Sequence, residues 1–287
     1  MNIIDDIKLQ YKVGGVAFRI IYWNIGCFLV SLVFFYQYSG GAFNFPSWIA
    51  LSTDPANFVV KPWTFLIYAF FHDGFWHLLF NMMILNFSSQ LFLTYFTQKQ
   101  LLGSYLLGAV FAGIVFVISY YFLNINTVIV GASAAIMTIL VAVTTYQPLM
   151  NVRMLFIGNV KLWHITAVLL ILDLMQFRLD NMGGHISHLS GALFGFIYIK
   201  LLENGMDLST GVTKVIDLFA NTFRKSPTTP FKKIHKNYNK PPEQRKAKIV
   251  VKSKSQAQID EILDKISQSG YDSLTKEEKD FLFKAGK

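Results

Sequence analysis

The sequence predicts an all-α protein: a six-span transmembrane helical bundle with a basic cytoplasmic tail that ends in a small helical hairpin. Three observations predict it. Hydrophobic residues make up 53% of the 287 residues and charged residues only 15%, well below the quarter or so usual in a soluble domain. Six apolar stretches each approach the roughly 20 helical residues that a bilayer core of about 30 Å requires. The charge is also split along the chain. Of the 26 Lys and Arg, 9 lie in the first 204 residues and 17 beyond, against 7 and 10 acidic residues, so the tail carries +7 of the formal +9.

The predicted spans are Val16–Phe35, Phe75–Tyr95, Leu101–Leu123, Gly131–Pro148, Val160–Phe177 and Gly184–Leu202. None shows the ten-residue alternation of a membrane barrel strand. Lys8, Lys12, Arg19, Lys99, Arg153 and Lys161 fall on one set of loops, and only Lys61 and Arg178 on the other. The positive-inside rule then places both termini in the cytoplasm. The opening MNIIDDIKLQYK is mixed in charge, and the apolar stretch after it is too long for a signal h-region. The single cysteine, Cys27, lies in span 1, so no intramolecular disulfide can form. Residues 36–74 are too polar and too broken by Pro and Gly to span, yet they carry Phe45, Trp48, Trp63, Phe65, Phe70 and Phe71. They are expected to form a structured loop in the outer interface; an ordinary aromatic anchor belt accounts for them equally well.

Polar groups inside spans are costly, so each raises a functional hypothesis. Span 2 carries His77 and Asn81 four residues apart, on one helical face. Span 4 opens with Gly131-Ala132-Ser133-Ala134-Ala135, and span 6 with GGHISHLSGALFG, which holds His185 and His188. Spans 2, 4 and 6 all run from outside to inside, so His77, Ser133 and His188 share one leaflet and one depth. Gly191 and Gly195 line the His188 face of span 6, a small-residue pair that lets helix backbones approach, and span 4 offers a matching small surface. Close contact there would bring an imidazole to the Ser133 hydroxyl. A serine is a weak nucleophile until a positioned base takes its proton. The set therefore points to acyl transfer, with Ser133 as nucleophile and His188 as base. His77, Asn81 and the Ser133 backbone N–H, at a helix start, would serve as oxyanion donors.

Other polar residues have plainer readings. His72 and His185 read as hydrogen-bonded packing residues, His164 as interfacial, and Asp173, near the end of span 5, as reaching headgroups or pairing locally, with no assigned role. With no third acid evident, a Ser–His dyad is the expected form. No H-E-x-x-H zinc signature is present, and an aspartyl dyad would need a second carboxylate in the spans. Neither a metal nor any other cofactor is expected.

The segments PWTFLIYAFFHDGFWHLLFNM, GASAAI and HISHLSGALFG resemble, in order and spacing, the three signature regions of rhomboid intramembrane serine proteases. The resemblance covers about residues 16–204. It implies the same roles for Ser133, His188, His77 and Asn81, with Gly131 as the motif glycine and Gly191 and Gly195 as packing glycines. It also implies cleavage of transmembrane helices near small, helix-destabilising residues, with water admitted from the outer face. Ala134 and Ser190 stand where the family commonly has glycine, and the first loop lacks the family's Trp-Arg pair.

The chain thus divides into a cytoplasmic N-terminal segment (1–15), a protease core (16–204), an amphipathic helix with a basic linker (205–255) and a C-terminal hairpin (256–287). Val212, Val215, Ile216, Phe219 and Phe223 recur at helical spacing, which suits a helix on the inner leaflet. The Pro- and Lys-rich linker that follows is expected to meet anionic headgroups rather than nucleic acid. Ile259, Ile262, Leu263 and Ile266 mark one hairpin helix, and Thr275-x-x-Glu278 resembles a capping box opening the second. The expected partners are transmembrane protein substrates and the lipid bilayer, in a bacterial plasma membrane. Two other function classes remain in view. One is a non-catalytic relative that binds transmembrane helices. The other is a transporter, which would require inverted repeats and polar sites at the membrane midplane; no such repeat is seen, and the polar set is predicted near the outer face.

Overall fold

The computed structural model describes residues 2–154, 157–176, 182–223 and 254–285. The chain forms two units, Met1–Ser226 and Pro227–Lys287. The larger unit opens with α1 (Ile3–Val13) and α2 (Gly15–Phe34). The following loop holds β1 (Tyr36–Gln37), β2 (Ala42–Phe43), β3 (Leu51–Ser52), α3 (Pro55–Phe58) and α4 (Thr64–Ile67). Then come α5 (Phe75–Leu93), α6 (Gln98–Leu123), β4 (Val128–Ile129), α7 (Ser133–Tyr146), β5 (Asn151–Met154) and β6 (Gly158–Lys161). The unit closes with α8 (Leu162–Gln176), α9 (Met182–Glu203) and α10 (Ser209–Phe223).

Helices α2, α6 and α9 are long and apolar enough to cross a membrane. Helices α5, α7 and α8 occupy the other three apolar stretches, with 19, 14 and 15 residues. Helix α6 starts a turn before its apolar run because Thr97 and Gln100 form a reciprocal capping box. Polar side chains within the helices return to their own backbone: Asn24 donates to the Ile20 carbonyl and Ser31 to the Cys27 carbonyl. This satisfies groups that lipid cannot.

The structure adds α1, the short α3 and α4, and three antiparallel ribbons, β1–β2, β3–β4 and β5–β6, to the helices the sequence predicts. The ribbons lie in the connections, where backbone groups lacking helical partners pair, β1–β2 and β5–β6 across short turns and β3–β4 between two separate connections. Two devices hold the 36–74 loop against the bundle. The Tyr68 hydroxyl donates to the Ala109 carbonyl (2.9 Å), and the Tyr105 hydroxyl donates to the Ala69 carbonyl (2.8 Å). Strand β3 pairs with β4, Leu51 opposite Ile129 and Ser52 opposite Val128, and the Gly131 N–H donates to the Tyr68 carbonyl (3.0 Å). The start of α7 is therefore fixed by backbone contacts before any side chain is considered.

Helices α7 and α9 pack closely. A Cβ at Gly191 would overlap the Ala134 carbonyl, and one at Gly195 the Thr138 carbonyl. Thr138 Oγ1, in turn, donates to the Gly191 carbonyl at 2.8 Å. The same Thr138 side chain fills the space left by Gly108 of α6.

In the second unit, α11 (Lys254–Ser269) and α12 (Lys276–Ala285) are joined through Gly270 at φ 78°. Thr275 and Glu278 cap α12 reciprocally, and Lys265 pairs with Glu278 at 2.8 Å. Ile262 and Leu274 are buried between the helices.

Candidate active site

Ser133 is the first residue of α7, where the N–H groups of the opening turn have no helical partner. His188, on α9, places Nε2 at 2.5 Å from Ser133 Oγ. The close α7–α9 packing through Gly191, one turn after His188, makes this approach geometrically available. Its Nδ1 lies 2.8 Å from Oδ1 of Asp173, on α8. His185 Nδ1 reaches the same oxygen at 2.6 Å. A carboxylate only accepts, so both imidazoles donate from Nδ1. The Nε2 lone pair of His188 is then left facing the serine hydroxyl. The His188 side chain is 26% exposed and Asp173 10%, so the base is the more accessible of the two.

His77, near the start of α5, is held by Asp73, whose Oδ1 lies 2.5 Å from His77 Nδ1. That hydrogen bond is the main reason the Asp73 carboxyl sits below its ordinary range. A Cβ at Gly131 would stand 3.1 Å from His77 Nε2 and 3.6 Å from Ser133 Oγ, so both groups border the space that this glycine leaves open. Asn81, one turn further along α5, is buried, and one of its amide N–H groups donates to the His77 carbonyl at 2.8 Å. Its second N–H is the one an oxyanion could use. His72 is fully buried with neither ring nitrogen partnered among the described residues. Burial, reinforced by neighbouring His77, pushes its imidazole down to about 3, so it stays neutral.

Two cavities meet at this group. One, of about 550 Å³, is lined by Phe45, Asp73, His77, Gly131, Ser133 and His188. The other, of about 540 Å³, reaches the same His77, Ser133 and His188 from an apolar side formed by Phe80, Met137 and Leu172. The more polar of the two cavities and the apolar one converge on one hydroxyl.

The structure thus brings Ser133, His188, His77 and Gly131 together and sets Asn81 in the wall of the apolar cavity. It departs from the sequence reading at the acid. Asp173, given no role, hydrogen-bonds both imidazoles of α9, and His185 is the buried, hydrogen-bonded histidine the sequence suggests, with that carboxylate as its partner. A signal was present. Asp173 lies near the end of α8 and His188 near the start of α9, the next helix in the chain, so a short connection can bring them together. Asp173, His185 and His188 also offer three ligand atoms within 4.8 Å of one another, the one potential metal-binding set among the described residues. The two hydrogen bonds already engage one ligand-capable atom of each residue, Nδ1 of both histidines and Asp173 Oδ1.

A family model described as the Rhomboid domain matches residues 60–204, half of the chain and all of these site residues. A second, for a family of unknown function (DUF6576), matches residues 250–284. No curated protein matches the chain.

Proposed function

The chain belongs to the rhomboid family of intramembrane proteases, and from that premise we propose that it is an active serine endopeptidase cleaving transmembrane segments of membrane proteins. The observation that carries the reading is the 2.5 Å contact between His188 Nε2 and Ser133 Oγ, at the junction of a polar and an apolar cavity. In the first step Ser133 Oγ bonds to the scissile carbonyl carbon as its proton passes to His188 Nε2, and the carbonyl π pair moves onto oxygen. That oxyanion is received by the Ser133 backbone N–H, the second N–H of Asn81 and the Nε2 edge of His77. With Nδ1 committed to Asp73, His77 can donate from Nε2 only in its doubly protonated form, which the Asp73 carboxylate compensates. His188 then passes its proton to the departing amine, leaving an acyl-enzyme. Water from the polar cavity attacks the ester with His188 again as base, which frees the acid and restores Ser133. No step calls on a metal or cofactor. In this reading α2 and α5–α9 form six spans with both termini cytoplasmic, in a bacterial plasma membrane.

The test is cleavage of a transmembrane reporter by purified protein in proteoliposomes, with a chelator present. Wild type is compared with Ser133→Ala and His188→Ala. Cleavage by wild type should fall at least about 10³-fold in each variant. A wild type that binds transmembrane segments without cutting them would instead leave a helix-binding relative as the function.

A further inference from the structure

A carboxylate buried within an apolar helix is costly unless hydrogen bonds compensate its charge. Asp173 is such a group, nine-tenths buried on α8, and both of its hydrogen bonds come from α9. We propose that Asp173 is the positioning carboxylate of the His188 base, and that His185 holds that carboxylate in place. This rests on the protease reading of Ser133 and His188, and it extends the expected dyad to an Asp173–His188–Ser133 relay.

The argument is about where one proton sits. Neutral imidazole carries a single N–H, and only an unprotonated Nε2 can accept from Ser133. With the proton on Nε2, the group facing Ser133 would be a donor and no base. Asp173 Oδ1, 2.8 Å from Nδ1, keeps the proton on the far nitrogen. When His188 takes the serine proton it becomes a cation, and the same carboxylate compensates the new charge without accepting the proton. His185 lies three residues earlier on the same face of α9 and donates to the same Oδ1 at 2.6 Å. Asp173 Oδ2 is buried with no hydrogen-bond partner among the described residues. The two imidazoles therefore set which oxygen faces α9, and His185 continues to hold it while His188 changes charge.

The same three residues could be imagined around a metal ion. Each Nδ1 is at hydrogen-bond distance from one shared oxygen, however, which leaves a proton and not an ion between them. The experiment keeps a chelator present so that the two arrangements are separated, since a metal-dependent role would collapse in it.

Wild type, Asp173→Asn and His185→Gln are compared in proteoliposomes for kcat and KM on a transmembrane reporter. The rate at which a fluorophosphonate labels Ser133 is read separately. Asparagine matches aspartate in shape but can present an N–H where His188 needs an acceptor, which favours the wrong tautomer. We expect kcat for Asp173→Asn to fall by about 10² to 10⁴ with KM changed by less than about twofold, and labelling to slow in parallel. His185→Gln should show a smaller loss, also in kcat. Cleavage by Asp173→Asn within about threefold of wild type overturns the proposal, because a general base without its orienting partner should lose far more. If Asp173→Asn does not fold, Asp173→Glu and Asp173→Gln make the same comparison at matched size. Activity that follows the charge supports the relay, and equal activity overturns it. A wild type that neither cleaves nor labels removes the protease reading itself, whereas an active wild type with an equally active Asp173→Asn removes only the role of Asp173.

Discussion

Gly131 has φ 140°, a backbone conformation that residues with a side chain rarely adopt, and its missing Cβ leaves room for the His77 ring. Gly131→Ala therefore meets two costs: backbone strain of about 1–3 kcal/mol and displacement of a ring whose edge is 3.0 Å from the new carbon. If His77 is an oxyanion donor, kcat should fall by about 10² while KM holds. Parallel kcat and thermal-unfolding measurements check this, and a variant that loses stability but keeps kcat would remove His77 from the oxyanion site. His72 makes a different prediction. Its folded imidazole is pushed down to about 3, while an unfolded histidine titrates near 6.5. The unfolded chain therefore binds more protons between those values, and stability should drop as pH falls below about 6.5, by up to about 1.4 kcal/mol per unit. His72→Phe should flatten that acid limb in unfolding scans taken between neutral pH and the protein's acid limit. At this scale Ser133, His77 and His188 were legible because each is a polar group near the start of an apolar stretch, and the predicted orientation puts those three starts in one leaflet. Asp173 was not, because a lone carboxylate near a span end also fits headgroup contact, and only its two imidazole partners distinguish the roles.

The helix pair α7–α9 carries the geometry that the residues use. Gly191 and Gly195 lie against the Ala134 and Thr138 carbonyls, and Thr138 bridges back to Gly191. A methyl at either glycine must push the helices apart, an overpacking cost of about 1–3 kcal/mol. The functional consequences should differ. Gly191 is one turn from His188, so Gly191→Ala should widen the Ser133–His188 contact and reduce kcat more steeply than Gly195→Ala, although both lower the melting temperature. Comparable kcat losses in the two variants would mean that the pair sets stability alone. The long apolar helices were legible because their period and length are strong signals. The ribbons were not, because two- or four-residue ladders such as β3–β4 are too short for any period to register. Yet β3–β4 and the Tyr68 carbonyl fix where Ser133 begins its helix, so an element invisible in the sequence positions the residue most visible in it.

Across the whole molecule, the site residues and the helices that hold them lie in Met1–Ser226, and the charge lies mostly beyond residue 204. At the end of that unit, Asp207 accepts from Gln100 Nε2 (3.2 Å), the Tyr198 hydroxyl (3.3 Å) and the Ser209 N–H (2.9 Å). Burial raises its carboxyl, but these donations, led by Ser209, outweigh that and hold it low. The start of α10 is thereby fastened to α6 and α9, with Ser209 filling the space at Gly103. The C-terminal hairpin has a different basis. It buries little beyond Ile262 and Leu274 and depends on the Thr275 cap and the Lys265–Glu278 pair. Some thirty residues of that kind seldom hold a fold without a partner surface. A chain ending at Ser226 should therefore keep its melting behaviour and cleave a minimal reporter within a few-fold of the full chain. The full chain should differ mainly where anionic lipid or a native substrate is present, since the Lys-rich linker is attracted to negative headgroups. Parallel assays in neutral and anionic liposomes separate these effects. Loss of cleavage in both, by a truncated chain that still melts cooperatively, would show that the second unit contributes to catalysis itself.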